Sequence, residues 1–193
     1  MKIQISLSAQ GLGVEKLRPF MDRAGYVFLG SGLEGSAWGK DKHVLKIMRK
    51  QTAAPYLAFV NYARKHPNKH FPKFEAINTD IKFSGMNLVS VKMERLDENR
   101  LSNYTALSIF INAAIKAGDA VKGYPYYRTE RNIMLNTKQS LLSKTAKKYS
   151  SLILVIADLI SVGNASSSIK FDFANSSNMM MRGNTLVVMD PFY

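Results

Sequence analysis

The feature that most constrains this chain is the stretch from Tyr26 to Met48. Tyr26-Val27-Phe28-Leu29 is β-branched and aromatic, which predicts a strand. Gly30-Ser31-Gly32-Leu33-Glu34-Gly35-Ser36-Ala37-Trp38 follows, then the turn residues Gly39-Lys40-Asp41-Lys42. His43-Val44-Leu45-Lys46-Ile47-Met48 predicts another strand. The glycines spell GxGxxG, but a dinucleotide-binding version would open a helix, and here a turn and a strand come next. The prediction is strand, glycine turn, strand, turn, strand, with Lys46 near the middle of the last. Glycines in such a turn let main-chain amides approach phosphates closely, and Lys46 offers a cation for phosphate oxygens. A glycine-rich hairpin with one exposed lysine is the alternative.

A second constellation lies near the other end. Ile169-Lys170-Phe171-Asp172 opens a polar loop running to Asn178, and three methionines lead to Arg182-Gly183-Asn184-Thr185. Leu186-Val187-Val188-Met189 then closes on Asp190-Pro191. The pattern predicts a hairpin turning at Arg182–Thr185 that delivers two carboxylates, Asp172 and Asp190, to one place. Paired carboxylates of this kind suit a metal–phosphate substrate.

Together, GSGLEGSAW, VLKIM and the closing segment resemble the glycine loop, strand lysine, catalytic loop and metal-binding segment of protein kinases. Ala53-Ala54-Pro55-Tyr56-Leu57-Ala58-Phe59 and the later PNKHFPKFEAI are similar, more narrowly, to the early serine/threonine kinases of podophages, which accompany shut-off of host transcription. The resemblance covers roughly residues 27–98 and 169–191. It implies nucleotide contacts from Gly30, Ser31, Gly32, Leu33, Gly35, Ala37 and Lys46. Met93-Glu94-Arg95-Leu96 is similar to a kinase hinge: the carbonyl of Glu94 and the amide of Leu96 would face adenine, with Met93 behind it. Asp172 would accept the hydrogen bond of the incoming substrate hydroxyl, and Asp190 would hold magnesium. The second metal ligand is an asparagine five residues after the aspartate in the family pattern. Ser177 occupies that place without a gap, and a one-residue bulge brings in Asn178, which we prefer because an amide oxygen is the better ligand. The cofactors implied are ATP and Mg, and the partners are host proteins, RNA polymerase included.

Between these motifs the pattern is less specific. Val14, Leu17, Phe20 and Met21 predict a helix interrupted at Pro19 and ended by Gly25. Apolar residues at 56, 57, 59, 60 and 63 predict a helix over 53–65, with Thr52 as N-cap. No Asp or Glu occurs between Asp41 and Glu75, so this helix offers Lys46 no carboxylate. The lysine would then be oriented by Glu75 or by the nucleotide. His66 and His70 are four apart, but Pro67 breaks the helix that would pair them on a metal, and a solvated connection is expected. Phe74–Asn78 and Met86–Lys92 predict strands, and Tyr104–Lys116 and Leu152–Val162 predict helices.

Composition sets the outer bounds. The 193 residues suit one domain or two small lobes, expected here at 1–96 and 97–193. With 46% hydrophobic residues the chain can bury a core. Cysteine is absent, excluding disulfides and thiolate metal sites and suiting a reducing cytoplasm. No apolar leader segment is evident, and Leu152–Val162, which carries Asp158, is too short to span a bilayer, so no membrane association is expected. The 27 Lys and Arg against 14 Asp and Glu give a formal +13, which attracts polyanions. Nucleic acid is therefore another candidate partner; the aromatic and basic segment 122–150 reads first as a solvated helix-loop face and second as a grip for nucleic acid or an acidic protein. The fold class expected is α+β, a compact two-lobe kinase-like fold with an antiparallel N-lobe sheet and a reduced helical C-lobe. The function expected is phosphorylation of host proteins. A catalytically silent relative that binds a host factor and a nucleic-acid-binding protein are the rivals.

Overall fold

The computed structural model describes residues 14–32, 35–98, 150–164 and 178–192. It is a mixed α+β protein in two compact units. One comprises Met1–His66 and Pro72–Arg95; the other comprises Pro67–Phe71 and Leu96–Tyr193. Leu33, Asp172, Ser177, the helix expected at Tyr104–Lys116 and the basic segment 122–150 lie outside the described residues.

The first unit is built on a five-stranded antiparallel sheet of β1 (Val27–Ser31), β2 (Gly35–Lys40), β3 (His43–Arg49), β4 (Phe74–Phe83) and β5 (Met86–Glu94). Their spatial order is β1-β2-β3-β5-β4. Tight turns set its hairpins. Ser84 and Gly85 both have positive φ, 48° and 77°, the requirement of the two-residue hairpin turn that matches strand twist. The β1–β2 turn is closed by the Gly32 amide donating to the Gly35 carbonyl over 2.9 Å.

Alternation along the strands gives the sheet two different faces. Ala37, Lys46 and Val91 lie in register, as do Val44 with Met93 and Met48 with Val89, so these residues share one face. Trp38, Leu45 and Lys92 lie in register on the other. Helix α2 (Ala54–Lys65) covers the Lys46 face: Phe59 meets Phe74 edge-on at 5.7 Å, and Phe74 pairs with Met93. Helix α1 (Val14–Arg23) covers the Trp38 face. Phe20 packs edge-on against Phe83 at 5.1 Å, and the Arg18 guanidinium lies 5.0 Å over the Phe28 ring.

Two expectations about the helices change. Pro19 does not interrupt α1, because Leu17 and Met21, four apart and buried, anchor the helix on either side of an exposed proline. Gly25 ends it as expected. With φ at 79° it lets its own amide reach Asp22 and that of Tyr26 reach Met21, satisfying the last carbonyls. Thr52 is not the N-cap of α2. Ala53 holds that position without a side-chain cap, and the Thr52 hydroxyl donates to the Arg49 carbonyl instead, over 3.4 Å.

The second unit carries a three-stranded antiparallel sheet, β6 (Asp97–Glu98), β7 (Met179–Arg182) and β8 (Thr185–Val188), in that order. The β7–β8 hairpin turns at Gly183-Asn184, with Gly183 at φ 56°, so the turn falls where the sequence puts it. Helix α3 (Ser150–Asn164) buries Leu152, Val155, Ile156, Leu159 and Ile160, one stripe of a 3.6-residue repeat. Among the described residues no helix is long and apolar enough to cross a membrane.

Candidate functional site

In the first unit, Lys46 projects from the central strand of the sheet onto the face that α2 covers. Its ammonium sits 3.6 Å from the centroid of the Tyr56 ring, in the first turn of α2. Tyr56 is fully buried, and its hydroxyl donates to the Met93 sulfur over 3.7 Å. The structure therefore brings Ala37, Lys46 and Met93 to one face, joined through a tyrosine that the sequence marks only as one member of a helical stripe. Met93 is buried.

Glu75 does not orient the lysine, which corrects one expectation. A bulge between Phe74 and Ala76 turns Glu75 to the side of Lys92, the face opposite Lys46. There its two oxygens meet His43 Nε2 and Lys92 Nζ, each at 2.7 Å. The Lys92 hydrogen bond holds the Glu75 carboxyl below its usual range, partial burial opposes this, and the His43 charge reinforces it. The same pairing raises Lys92.

The glycines divide into two kinds. A β-carbon at Gly35 would strike the Ile47 carbonyl oxygen and lie 2.8 Å from Met48 Cγ, so this glycine is needed to seat β2 against β3. At Gly30 and Gly32 a β-carbon would meet nothing within 4 Å. Packing leaves those two glycines unexplained, and Ser31 beside them is exposed. At the other end of the sheet the Glu94 amide donates to the Lys73 carbonyl, and the Arg95 amide to the Lys42 carbonyl. The Glu94 carboxylate accepts from the Lys73 amide at 2.6 Å.

In the second unit the hairpin sets Asn178 opposite Met189, the residue before Asp190. Met179 pairs with Val188, and the Met189 amide donates to the Asn178 carbonyl over 2.8 Å. Asp190 follows directly, with its Oδ1 shielded from solvent. Leu96 is buried in this unit, beside the short β6 strand. Among the described residues no three His, Asp or Glu side chains group as a metal cage.

His70 is a further feature of this unit, and here the expected solvated connection is wrong. The residue is buried, and its ring spans two elements. Nδ1 lies 2.7 Å from the Leu186 carbonyl, which only an N–H can satisfy, so Nε2 is the acceptor for the Ser151 hydroxyl at 2.8 Å. The His70 carbonyl accepts from the Val188 amide, and Arg182 donates to the carbonyls of Lys69 and Phe71. Burial pushes the His70 pKa below 6.5; the Leu186 hydrogen bond opposes this, and the charges of Lys69 and Arg182 add to it. The neutral imidazole thus ties residues 67–71 to β8 and α3, immediately before Asp190.

No protein-family model matches the chain, and no curated protein matches it.

Proposed function

We propose that this chain is an ATP- and magnesium-dependent protein kinase with a reduced two-lobe kinase-like fold, acting on serine or threonine hydroxyls of host proteins, transcription machinery among them. The observation that carries this reading is Lys46. It stands on the central strand of an antiparallel sheet, in register with Ala37 on the strand that leaves the glycine turn, with one helix inserted between the third and fourth strands. Two glycines of that turn, Gly30 and Gly32, have no packing reason to be glycine. Close approach of main-chain amides to phosphate supplies one.

The donors on the β7–β8 hairpin fit magnesium. This ion keeps several waters and takes only one or two carboxylates alongside substrate phosphates, so Asp190 with the Asn178 amide is a suitable set without a protein cage. Asp190 and Asn178 would hold the ion, which would supply neutralisation of the phosphate charge. Lys46 holds phosphate oxygens, the Gly30–Gly32 amides cover them, and Asp172 receives the hydrogen bond of the incoming hydroxyl. The reading requires Lys46, Asp172 and Asp190 to serve one triphosphate.

The test is transfer from labelled ATP to proteins of a host lysate with magnesium, beside Asp190→Ala and Lys46→Met. Transfer by the wild type that both variants lose is the expected result. Transfer that persists in Asp190→Ala removes the proposed site. One observation favours a second reading, a nucleotide-binding protein that does not transfer: α2 has no acidic residue, and Glu75 is engaged on the opposite face of the sheet. ATP binding without transfer is its signature.

A further inference from the structure

We infer that Ser151 is an activated nucleophile with His70 as its base, a pair that takes an acyl group from an activated ester or thioester onto the serine oxygen. The inference goes beyond the phosphoryl-transfer reading and uses none of its residues. Three observations carry it. The Ser151 hydroxyl donates to His70 Nε2 over 2.8 Å, within the reach that proton transfer needs. The ring is held in the tautomer that lets Nε2 accept, because its Nδ1–H donates to the Leu186 carbonyl at 2.7 Å. The main chain around the base is fixed as well: the His70 amide donates to the Asn68 side chain at 3.0 Å, and its carbonyl accepts from Val188. A nucleophile, a base beside it and a third group orienting that base mark an activated serine, and a main-chain carbonyl fills the third place here. The imidazole is buried, whereas Ser151, in the first turn of α3, keeps part of its surface in solvent.

The step balances within the pair. The Ser151 oxygen bonds to the acyl carbon while its proton moves to Nε2, giving a tetrahedral intermediate. The bond from that carbon to the leaving oxygen or sulfur then breaks, and the departing alcohol or thiol takes the proton back from Nε2. Ser151 is left as an ester. Burial and the charges of Lys69 and Arg182 work against the transient imidazolium, and the Leu186 carbonyl works for it. Such a base suits donors with good leaving groups, not amides. Acylation also changes the structure, since an ester oxygen has no proton to donate to Nε2. His70 then loses this tie to α3, while its bonds to Leu186 and Val188 keep residues 67–71 on β8.

Two probes test this on the full chain: a fluorophosphonate, which loses fluoride to an activated serine and marks it, and p-nitrophenyl acetate as the acyl donor. Peptide mass spectrometry should find the fluorophosphonate mark on Ser151, formed at least about 10-fold faster than on Ser150 beside it, and an acetyl group on the same oxygen. His70→Asn keeps a donor for the Leu186 carbonyl and should slow marking of Ser151 by about 100-fold, with circular dichroism reporting the fold. No mark on Ser151 in the wild type, or equal marking of Ser150 and Ser151, overturns the inference without any variant. Marking that persists in folded His70→Asn removes His70 as the base. A fluorophosphonate mark with no acetyl on Ser151 overturns the acyl assignment. ATP enters none of these measurements, so their failure is separate from failure of the kinase reading.

Discussion

A β-carbon at position 35 has nowhere to go. The atoms it would meet are the Ile47 carbonyl and the Met48 side chain, and the first belongs to the main chain of the neighbouring strand. Gly35→Ala should therefore destabilise the protein by about 1–3 kcal/mol, the usual effect of overfilling a packed contact. Gly32→Ala meets open space and should leave stability within about 0.5 kcal/mol. Urea denaturation of the two variants measures this difference. ATP affinity should reverse their order, with Gly32→Ala the more damaging per unit of stability lost, if main-chain approach to phosphate is what the open glycines provide. Lys46→Met offers a parallel contrast. It removes the ammonium that lies 3.6 Å from the Tyr56 ring centroid, and nucleotide affinity should be lost while the fold is retained.

Among the elements, the β7–β8 hairpin depends on a fork. Arg182 serves two carbonyls, at 2.8 Å to Lys69 and 2.9 Å to Phe71, from opposite ends of its guanidinium. Arg182→Ala should cost about 1–2 kcal/mol in urea denaturation, since charged hydrogen bonds are strong but this one is partly exposed. Arg182→Lys should recover little, because a single ammonium cannot reproduce a rigid planar fork. Much of this layout was legible in advance. The strands announced themselves through β-branched runs, and the turns through Gly39–Lys42 and Arg182–Thr185. The Asn178–Asp190 hairpin came from its turn residues and its apolar arm. What was not legible depended on distant partners. His70 sits between Pro67, Asn68, Lys69 and Pro72, a composition that signals a solvated turn, and it is buried by groups 81 and 116 residues away. Tyr56 looked like one more core aromatic because nothing local says that a lysine lies over its ring. Strand β4 runs five residues past Asn78, to Phe83, because the Asn78–Ile81 irregularity carries the polar Thr79-Asp80 pair without ending the ladder. Asp172 and Leu33 remain known from sequence alone.

For the whole molecule, two groups set separate responses to acid. His70 titrates near 6.5 when unfolded and lower when folded, so the unfolded chain holds more protons in that interval. Stability then rises with pH and is lost as pH falls below 6.5 toward the folded value. His70→Asn, which keeps a donor for the Leu186 carbonyl and cannot titrate, should remove that slope. Glu75 acts in a lower window: its folded pKa lies under 4.5, so its contribution is present above 4.5 and fades below it. Melting temperatures across pH 3–8, for the wild type, His70→Asn and Glu75→Gln, separate the two. An acid profile unchanged by His70→Asn would show that the imidazole does not govern the upper window.

The chain leaves its first unit after His66, contributes Pro67–Phe71 to the second, and returns at Pro72. Neither half can be obtained with a single scissor cut: a fragment ending at Arg95 takes away the five residues that complete the other piece, whose Val188 amide and Leu186 carbonyl then lose their His70 partners. The piece from Leu96 onward should therefore recover its native state only when mixed with the piece that carries Pro67–Phe71.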